Sequence, residues 1–315
     1  MQLPPQLSEL LSRGTRLFER VTARSSSNFK FAFLFLRDDQ REALTQVYEF
    51  CRVVDDIVDD RPPGPEGREA AAKGLARWSA EIGRIYGDPN YAGEAPQSPL
   101  AVALADTIRD FALPREAFDE IIAGCAMDLD VSSYPDLPAL ELYCYRVASC
   151  VGVLCIGIFG DQSARAHDYA RHLGLALQYT NILRDVGEDA ARGRVYLPLD
   201  LLERHELSEQ DMLDCTYDAR FLAMAAEFAD MAEREYRLAW AQLDGFGDLR
   251  PLLPAEIMGR TYYELLAELR ERNYDVFTHR AQLRRRDKLR VAAISLAVTT
   301  VPPSLPGARA LRGLF

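Results

Sequence analysis

The chain has 315 residues, of which 48% are hydrophobic and 27% charged, and its 48 acidic against 37 basic residues give a net charge of −11. These values are typical of a globular protein and exclude disorder or a low-complexity fibre as the main state. The acidic balance argues against nucleic acid as a partner, because phosphate contacts need clustered Lys and Arg. It also disfavours phosphorylated substrates, unless metal cations lie between acid and phosphate.

Apolar residues recur at three- and four-residue spacings along most of the chain, and no segment shows the period-two pattern of a strand. Short stretches rich in Pro and Gly separate the periodic segments, and they are connections rather than domain linkers. We therefore predict a single all-α domain over 1–315, a bundle of about eight or more helices. The predicted helices are 39–59, 66–85, 99–112, 116–129, 138–159, 164–190, 217–243 and 255–273.

The chain start has no secretory signal pattern, and the six scattered cysteines form no CxxC pair. Both observations predict a cytoplasmic protein with buried, reduced thiols. The apolar stretch near the C-terminus, Val291–Val301, is shorter than the roughly 20 residues that a membrane-spanning helix needs.

The first unusual segment is CRVVDDIVDD at 51–60, at the end of a predicted helix. Asp55 and Asp59 are four residues apart, which places both carboxylates on one helix face, about 5–6 Å from each other. The helix macrodipole disfavours acids at a C-terminus, and Pro62 requires the helix to end nearby. The pattern indicates a ligand for the carboxylates, with a solvated helix end as the alternative for this segment alone.

The second segment is QYTNILRDVGEDAARGRVYLP at 178–198, where Asn181, Asp185 and Asp189 recur at four-residue steps after a largely apolar run. Polar groups that emerge from a buried helix need partners. Two helices that each end in DxxxD can hold Mg²⁺ between them, since Mg²⁺ takes one or two carboxylates and completes its shell with water and phosphate oxygens. The all-oxygen set disfavours zinc and copper and leaves Mn²⁺ as an alternative. Arg192 and Arg194, on either side of Gly193, can reach phosphate oxygens.

Together these segments resemble the squalene/phytoene synthase family, whose members join two prenyl diphosphates head to head. The stretch YCYRVASCVG at 143–152 and a C-terminal group between Tyr262 and Arg280 extend the resemblance, which covers roughly residues 25–290. It implies an isoprenoid-synthase-type helical bundle around a central apolar cavity, with the two acidic helices facing each other.

The resemblance also implies roles for individual residues. The implied metal ligands are Asp55, Asp59, Asp185 and Asp189. The implied catalytic residues are Tyr143, beside the reacting carbons, the phosphate-binding Arg52, Arg184 and Arg194, and Tyr262. The implied substrate-binding residues are Ser26, Asn28, Phe29, Phe33, Tyr48, Gln178, Asn181 and Arg280. Asn28 departs from the family, which usually has Ser at that place in a Ser-x-Ser-Phe stretch.

The implied reaction begins with Mg²⁺-dependent loss of diphosphate from a donor. The acceptor double bond attacks the allylic cation, and loss of a proton leaves a cyclopropylcarbinyl diphosphate. The stretch 28–36 and the paired acids of 55–60 look more like bacterial presqualene diphosphate synthases of the hopanoid and squalene branch, which favours farnesyl diphosphate as substrate. The alternative is a phytoene synthase of carotenoid synthesis that uses geranylgeranyl diphosphate. Whether NADPH reduces the product onward to squalene stays open, since no Gly-rich dinucleotide motif is present.

Other classes are weaker alternatives. DDxxD at Asp55–Asp59 also suits a terpene cyclase or a head-to-tail prenyltransferase, but 143–152 and 178–198 resemble neither. An acidic helical metal-binding module without catalysis is the non-enzyme alternative, and an isolated His167-Asp168 pair says little about a phosphohydrolase. The basic cluster 280–290, followed by an apolar run, predicts peripheral membrane contact, with a last bundle helix as the alternative. The sequence leaves the oligomeric state open.

Overall fold

The computed structural model of the chain describes residues 36–278 and 280–300. They form an all-α domain with an isolated β-bridge between Ser133 and Val195, which confirms the predicted fold class. The helices are α1 (Asp38–Asp59), α2 (Pro65–Ile85), α3 (Pro99–Phe111), α4 (Arg115–Met127), α5 (Leu137–Cys144), α6 (Cys150–Phe159), α7 (Ala164–Ala191), α8 (Leu199–Arg204), α9 (Glu209–Leu213), α10 (Ala219–Gln242), α11 (Leu253–Glu271) and α12 (Arg285–Thr300).

Helix α1 carries the first acidic segment as its last turn. Its apolar stripe includes Leu44, Val47 and Val54 and is buried against the bundle. The last turn of α1 contains no basic residue to offset the macrodipole, so the carboxylates lie where the helix itself disfavours them.

Helices α5 and α6 form one continuous helical stretch, as predicted for 138–159, but Tyr145–Ser149 between them is a π-turn that the sequence did not indicate. Such a turn inserts a residue and changes the face that later side chains present, and it is frequent at functional sites. By length and composition, Leu137–Phe159 is a candidate membrane span with mean hydropathy of 1.8. Half of that window is buried inside the protein, and buried core helices meet the same criteria.

Helix α7 is the central element, because it packs against α6, α10 and α11 and carries the second acidic segment at its end. Ser163 caps its N-terminus by accepting a hydrogen bond from the Ala166 backbone N–H at 3.2 Å. A close approach to the π-turn requires Gly174, since a Cβ there would lie 2.6 Å from the Ser149 Cα.

Two large apolar clusters form most of the core, and a small third one joins α11 to α12. One of the large clusters joins α1, α2, α3, α4 and α6, and the other joins α5 and α7 to α11. Val153 and Ala255 pack against both large clusters.

The C-terminal helix α12 lies beyond the last helix predicted from the periodicity, 255–273. Its apolar residues Val291, Ala292 and Val298 are buried, and it packs on α11. Arg290 pairs with Glu264 at 2.6 Å. The apolar face therefore already has a protein partner, and the predicted membrane contact would depend on the exposed Arg284 and Arg286.

Candidate active site

The two acidic helix ends face each other across one cavity. Its wall contains the four predicted metal ligands of α1 and α7, together with several other predicted site residues. The complete lining is Asp55, Asp59, Asp128, Tyr143, Gln178, Asn181, Ile182, Arg184, Asp185, Asp189, Arg192, Arg194 and Tyr196. The structure thus brings residues up to 141 positions apart in the chain to a single acidic mouth.

Two of the carboxylates hold their protons unusually tightly. Burial, followed by repulsion from Asp59, raises the pKa of Asp55 to about 6. Burial, followed by repulsion from Asp185, raises the pKa of Asp189 to about 7. The Asp55 side chain is 53% exposed, but it opens into the cavity rather than onto the outer surface, so neighbouring protein still limits its hydration. A divalent cation between the helices would remove this repulsion.

Arginine side chains from three segments form ion pairs with the other two carboxylates, Asp59 and Asp185. Arg192 and Arg194 contact Asp59 at 3.3 and 3.0 Å and so link the end of α7 to α1. Arg184 donates to Asp185 at 2.7 Å from Nε, and Arg280 contacts the same carboxylate at 3.1 Å. These guanidinium groups lie where diphosphate oxygens would meet a metal, and their planar geometry suits phosphate.

The structure places Arg52 and Tyr48 beside the same mouth, one cavity deeper. Both line a middle cavity that shares Asp55, Gln178 and Asn181 with the acidic mouth. Arg52 pairs with Asp56 at 2.8 Å and lies 3.9 Å from Asp55.

A buried carboxylate that the sequence analysis missed connects the mouth to the middle cavity. Asp128 accepts hydrogen bonds from the hydroxyls of Tyr143 at 3.0 Å and Tyr196 at 3.1 Å. The rings of Tyr134, Tyr143 and Tyr196 lie 5.3 to 6.0 Å apart. Burial raises the pKa of Asp128. A carboxylate in this position can order both hydroxyls and accept a proton.

One sequence signal could have identified Asp128. It lies at the C-terminal end of α4, where the macrodipole disfavours an acid, and the same argument singled out the acids of α1. Its partners come from 15 and 68 residues away, so no local motif shows the contact.

The residues of the mouth fit Mg²⁺. Asn181 Oδ1 is buried and accepts no hydrogen bond from the described residues, while Asn181 Nδ2 donates to Gln178 Oε1 at 3.4 Å. An amide oxygen beside carboxylates is a ligand set for a hard cation. Within 36–278 and 280–300, no three acidic, His or Cys side chains already stand at metal-binding spacing.

Two apolar arms lead inward from the mouth. The middle cavity extends between α1 and α4, where its wall includes Cys51, Ile121 and Cys125. A second, more apolar cavity adjoins it and runs between α6, α7 and α11, where its wall includes Tyr262 and Met258. Gln178 and Asn181 line both arms. Two long apolar chains can therefore reach one polar centre.

Four of the predicted substrate-binding residues lie outside the described residues: Ser26, Asn28, Phe29 and Phe33. All six cysteines are unpaired, as predicted, but Cys215 is exposed, which corrects the prediction of buried thiols.

Comparison with known proteins identifies the family. Residues 22–287 match the squalene/phytoene synthase model. A presqualene diphosphate synthase of Rhodopseudomonas palustris is 38% identical over 79% of this chain and 85% of that protein. A phytoene synthase of Arthrospira platensis is 35% identical over 86% of this chain and 88% of that protein. A crystal structure of a dehydrosqualene synthase has the same fold, with a TM-score of 0.75 and 24% identity over 92% of this chain and 98% of that one. The chain belongs to the squalene/phytoene synthase family and is a prenyltransferase that condenses prenyl chains head to head.

Proposed function

We propose that this enzyme condenses two molecules of farnesyl diphosphate to presqualene diphosphate and releases diphosphate. The observation that carries the proposal is the depth of the second apolar arm, which runs from the acidic mouth between α6, α7 and α11. The similarity to a presqualene diphosphate synthase supports the same product.

The depth follows from the helix α7, which forms one wall of the arm. Its lining residues run from Asn181 at the mouth to Tyr169 at the far end, twelve residues or about 18 Å at 1.5 Å per residue. Van der Waals contact at the two ends takes about 4 Å of this length. An extended chain advances about 1.2 Å per bond, so the 11 main-chain bonds of farnesyl span about 13 Å and the 15 of geranylgeranyl about 18 Å. The remaining wall length of about 14 Å is close to that of an extended farnesyl chain.

The polar half of each substrate would lie in the acidic mouth. Asp55, Asp59, Asp185 and Asp189 would hold Mg²⁺, and the Asn181 amide oxygen is free to join them. Bound there, Mg²⁺ supplies the positive charge that stabilises the departing diphosphate. The arginines now paired with Asp59 and Asp185 can transfer to phosphate oxygens once the carboxylates bind metal.

The apolar half would react beneath the mouth. Tyr143 lines both the mouth and the middle cavity and stacks on Tyr196, so an electron-rich aromatic pair adjoins the centre where positive charge would develop. Asp128 holds both hydroxyls and can receive the proton released when the cyclopropane ring closes, directly or through Tyr143. The apolar arms exclude water from the carbocation.

A second candidate is phytoene synthesis from geranylgeranyl diphosphate. The observation that favours it is the similarity to phytoene synthases at 33–35% identity, close to the 38% of the presqualene diphosphate synthase. The non-catalytic metal-binding module is set aside by the family assignment. NADPH use stays open, and a cytoplasmic location and peripheral membrane contact through the basic C-terminal segment stay part of the proposal.

Product analysis tests the proposal. The purified enzyme with Mg²⁺ is given farnesyl or geranylgeranyl diphosphate, each with and without NADPH, and half of each extract is treated with phosphatase. We expect presqualene alcohol from farnesyl diphosphate without NADPH. Phytoene from geranylgeranyl diphosphate as the main product would contradict the farnesyl assignment. Appearance of squalene on addition of NADPH would extend the reaction to its reductive half.

A further inference from the structure

Aromatic side chains from two helices line the far end of the apolar arm between α6, α7 and α11. Phe159, the last residue of α6, and Tyr169, near the start of α7, line its end, and Leu44 of α1 completes the wall. Phe159 and Tyr169 are 6% and 0% exposed. Leu44 lies 11 residues before Asp55 on α1, and Tyr169 lies 12 residues before Asn181 on α7. The two helical walls therefore extend to a similar depth below the mouth.

The Tyr169 ring is fixed in place by a buried polar chain. Its hydroxyl donates to Glu256 Oε1 at 2.7 Å, and Glu256 pairs with Arg260 at 3.1 Å. Both charged side chains are 0% exposed, and the Arg260 guanidinium lies 5.1 Å above the Trp240 ring. Phe246 packs edge-on against the outer side of Tyr169, with ring centroids 6.2 Å apart.

A buried ion pair is a costly way to hold an apolar wall, because desolvation of two charges can exceed their attraction. Here the pair holds the Tyr169 hydroxyl and so restrains the position of one ring. A ring at this depth contacts the ω-end of a prenyl chain and lies far from the diphosphate. Its position therefore decides which chain length fits, and it takes no part in the chemistry.

We propose that Tyr169, locked by Glu256 and Arg260 and supported by Phe159, is the floor that limits the prenyl chain to 15 carbons. This inference rests on the proposed function, since it assigns a structural cause to the farnesyl preference. One more isoprenoid unit adds about 5 Å to an extended chain, and removal of an aromatic ring opens about 4 Å. Shortening the floor residue should thus admit most of a geranylgeranyl chain.

The test compares product formation from farnesyl and geranylgeranyl diphosphate in five proteins: the wild type, Tyr169→Ala, Phe159→Ala, Tyr169→Phe and Phe246→Ala. The measured quantity is the ratio of kcat/KM for the longer substrate to that for the shorter one. We expect this ratio to rise at least tenfold in Tyr169→Ala and in Phe159→Ala. Tyr169→Phe keeps the ring but loses the hydrogen bond to Glu256 that locks it, so its ratio should lie between those of the wild type and Tyr169→Ala, and an unchanged ratio would contradict the lock. Phe246→Ala removes a ring of similar size just outside the arm, so it should keep the wild-type ratio. Circular dichroism and retained turnover of farnesyl diphosphate identify folded variants.

An unchanged ratio in folded Tyr169→Ala and Phe159→Ala would overturn the floor assignment. A matching rise in Phe246→Ala would also overturn it, because general loosening would then explain the effect. Failure of the proposed function looks different. If the wild type already prefers geranylgeranyl diphosphate, the farnesyl assignment fails, and the same variants are then tested with the next longer prenyl diphosphate. If Tyr169→Ala does not fold, Phe159→Ala alone decides the outcome.

Discussion

Replacement of Asp189 by Asn should stabilise the metal-free protein and weaken its response to magnesium. Asp189 is partly buried, and its pKa is raised to about 7 from 3.8 by burial and by Asp185. A folded-state pKa above the unfolded value means that the charged form destabilises the fold. This destabilisation is complete above pH 7 and is lost as the pH falls toward 4. Asn carries no charge at any pH and escapes it.

The magnitude follows from the size of the shift. About three pKa units at 1.36 kcal/mol per unit give about 4 kcal/mol as an upper bound. Partial exposure of the side chain to the water-filled mouth screens the interaction, so we expect about 2 kcal/mol at pH 8. For a chain of this size, that corresponds to a rise in Tm of about 4 °C.

Thermal unfolding in EDTA at pH 8 and pH 5.5 measures the effect. Asp189→Asn should melt above the wild type at pH 8, and the difference should fall to about half at pH 5.5. With Mg²⁺ and inorganic pyrophosphate, the wild type should gain stability, and the variant should gain less. Asp168→Asn is the matched control, since Asp168 lies exposed on the same helix and should change none of these values. A variant no more stable than the wild type at pH 8 would refute the argument.

Three further predictions concern the same region. Asp128→Asn removes the charge that orders the Tyr143 and Tyr196 hydroxyls, so kcat should fall about 10²-fold with KM little changed; unchanged kcat in steady-state assays would contradict this. The apparent Mg²⁺ affinity with pyrophosphate, measured by calorimetry, should weaken about tenfold from pH 8 to pH 6, because protons compete for Asp55 and Asp189. A loss of the same size in Asp189→Asn would show that the carboxylates are not its cause. Gly174→Ala sets a Cβ 2.6 Å from the Ser149 Cα, so it should cost about 2 kcal/mol in urea unfolding, and a neutral result would mean that the backbone yields.

Local pattern predicted the helices that carry the acidic segments because their periodicity and their caps lie within a few residues. Helix α7, predicted over 164–190, spans Ala164–Ala191, with Ser163 at its N-terminus and its apolar face toward two neighbours. Spacing alone also paired the carboxylates on single helix faces. Their meeting across the mouth could be inferred from the resemblance but not from either helix by itself.

What the sequence could not supply depends on partners that are distant in the chain. The π-turn at Tyr145–Ser149 lies inside a continuous apolar run whose residues suit an ordinary α-helix equally well. Glu256 and Arg260 are four residues apart, a spacing common in exposed helix pairs, yet both are fully buried and contact Tyr169 and Trp240. Tertiary packing, which no local propensity records, converts these residues into a channel floor.

The charges of the mouth explain why such a site can persist in a stable fold. Four carboxylates on two helix ends repel one another, and two of them respond by holding protons near neutral pH. The other two are neutralised by arginines from neighbouring segments. Mg²⁺ alone would have to displace protons and guanidinium groups together, whereas a magnesium diphosphate gives the metal its carboxylates and the arginines their phosphate oxygens in one event. The same residues thus limit the stability of the metal-free protein and make binding of metal and substrate mutually dependent.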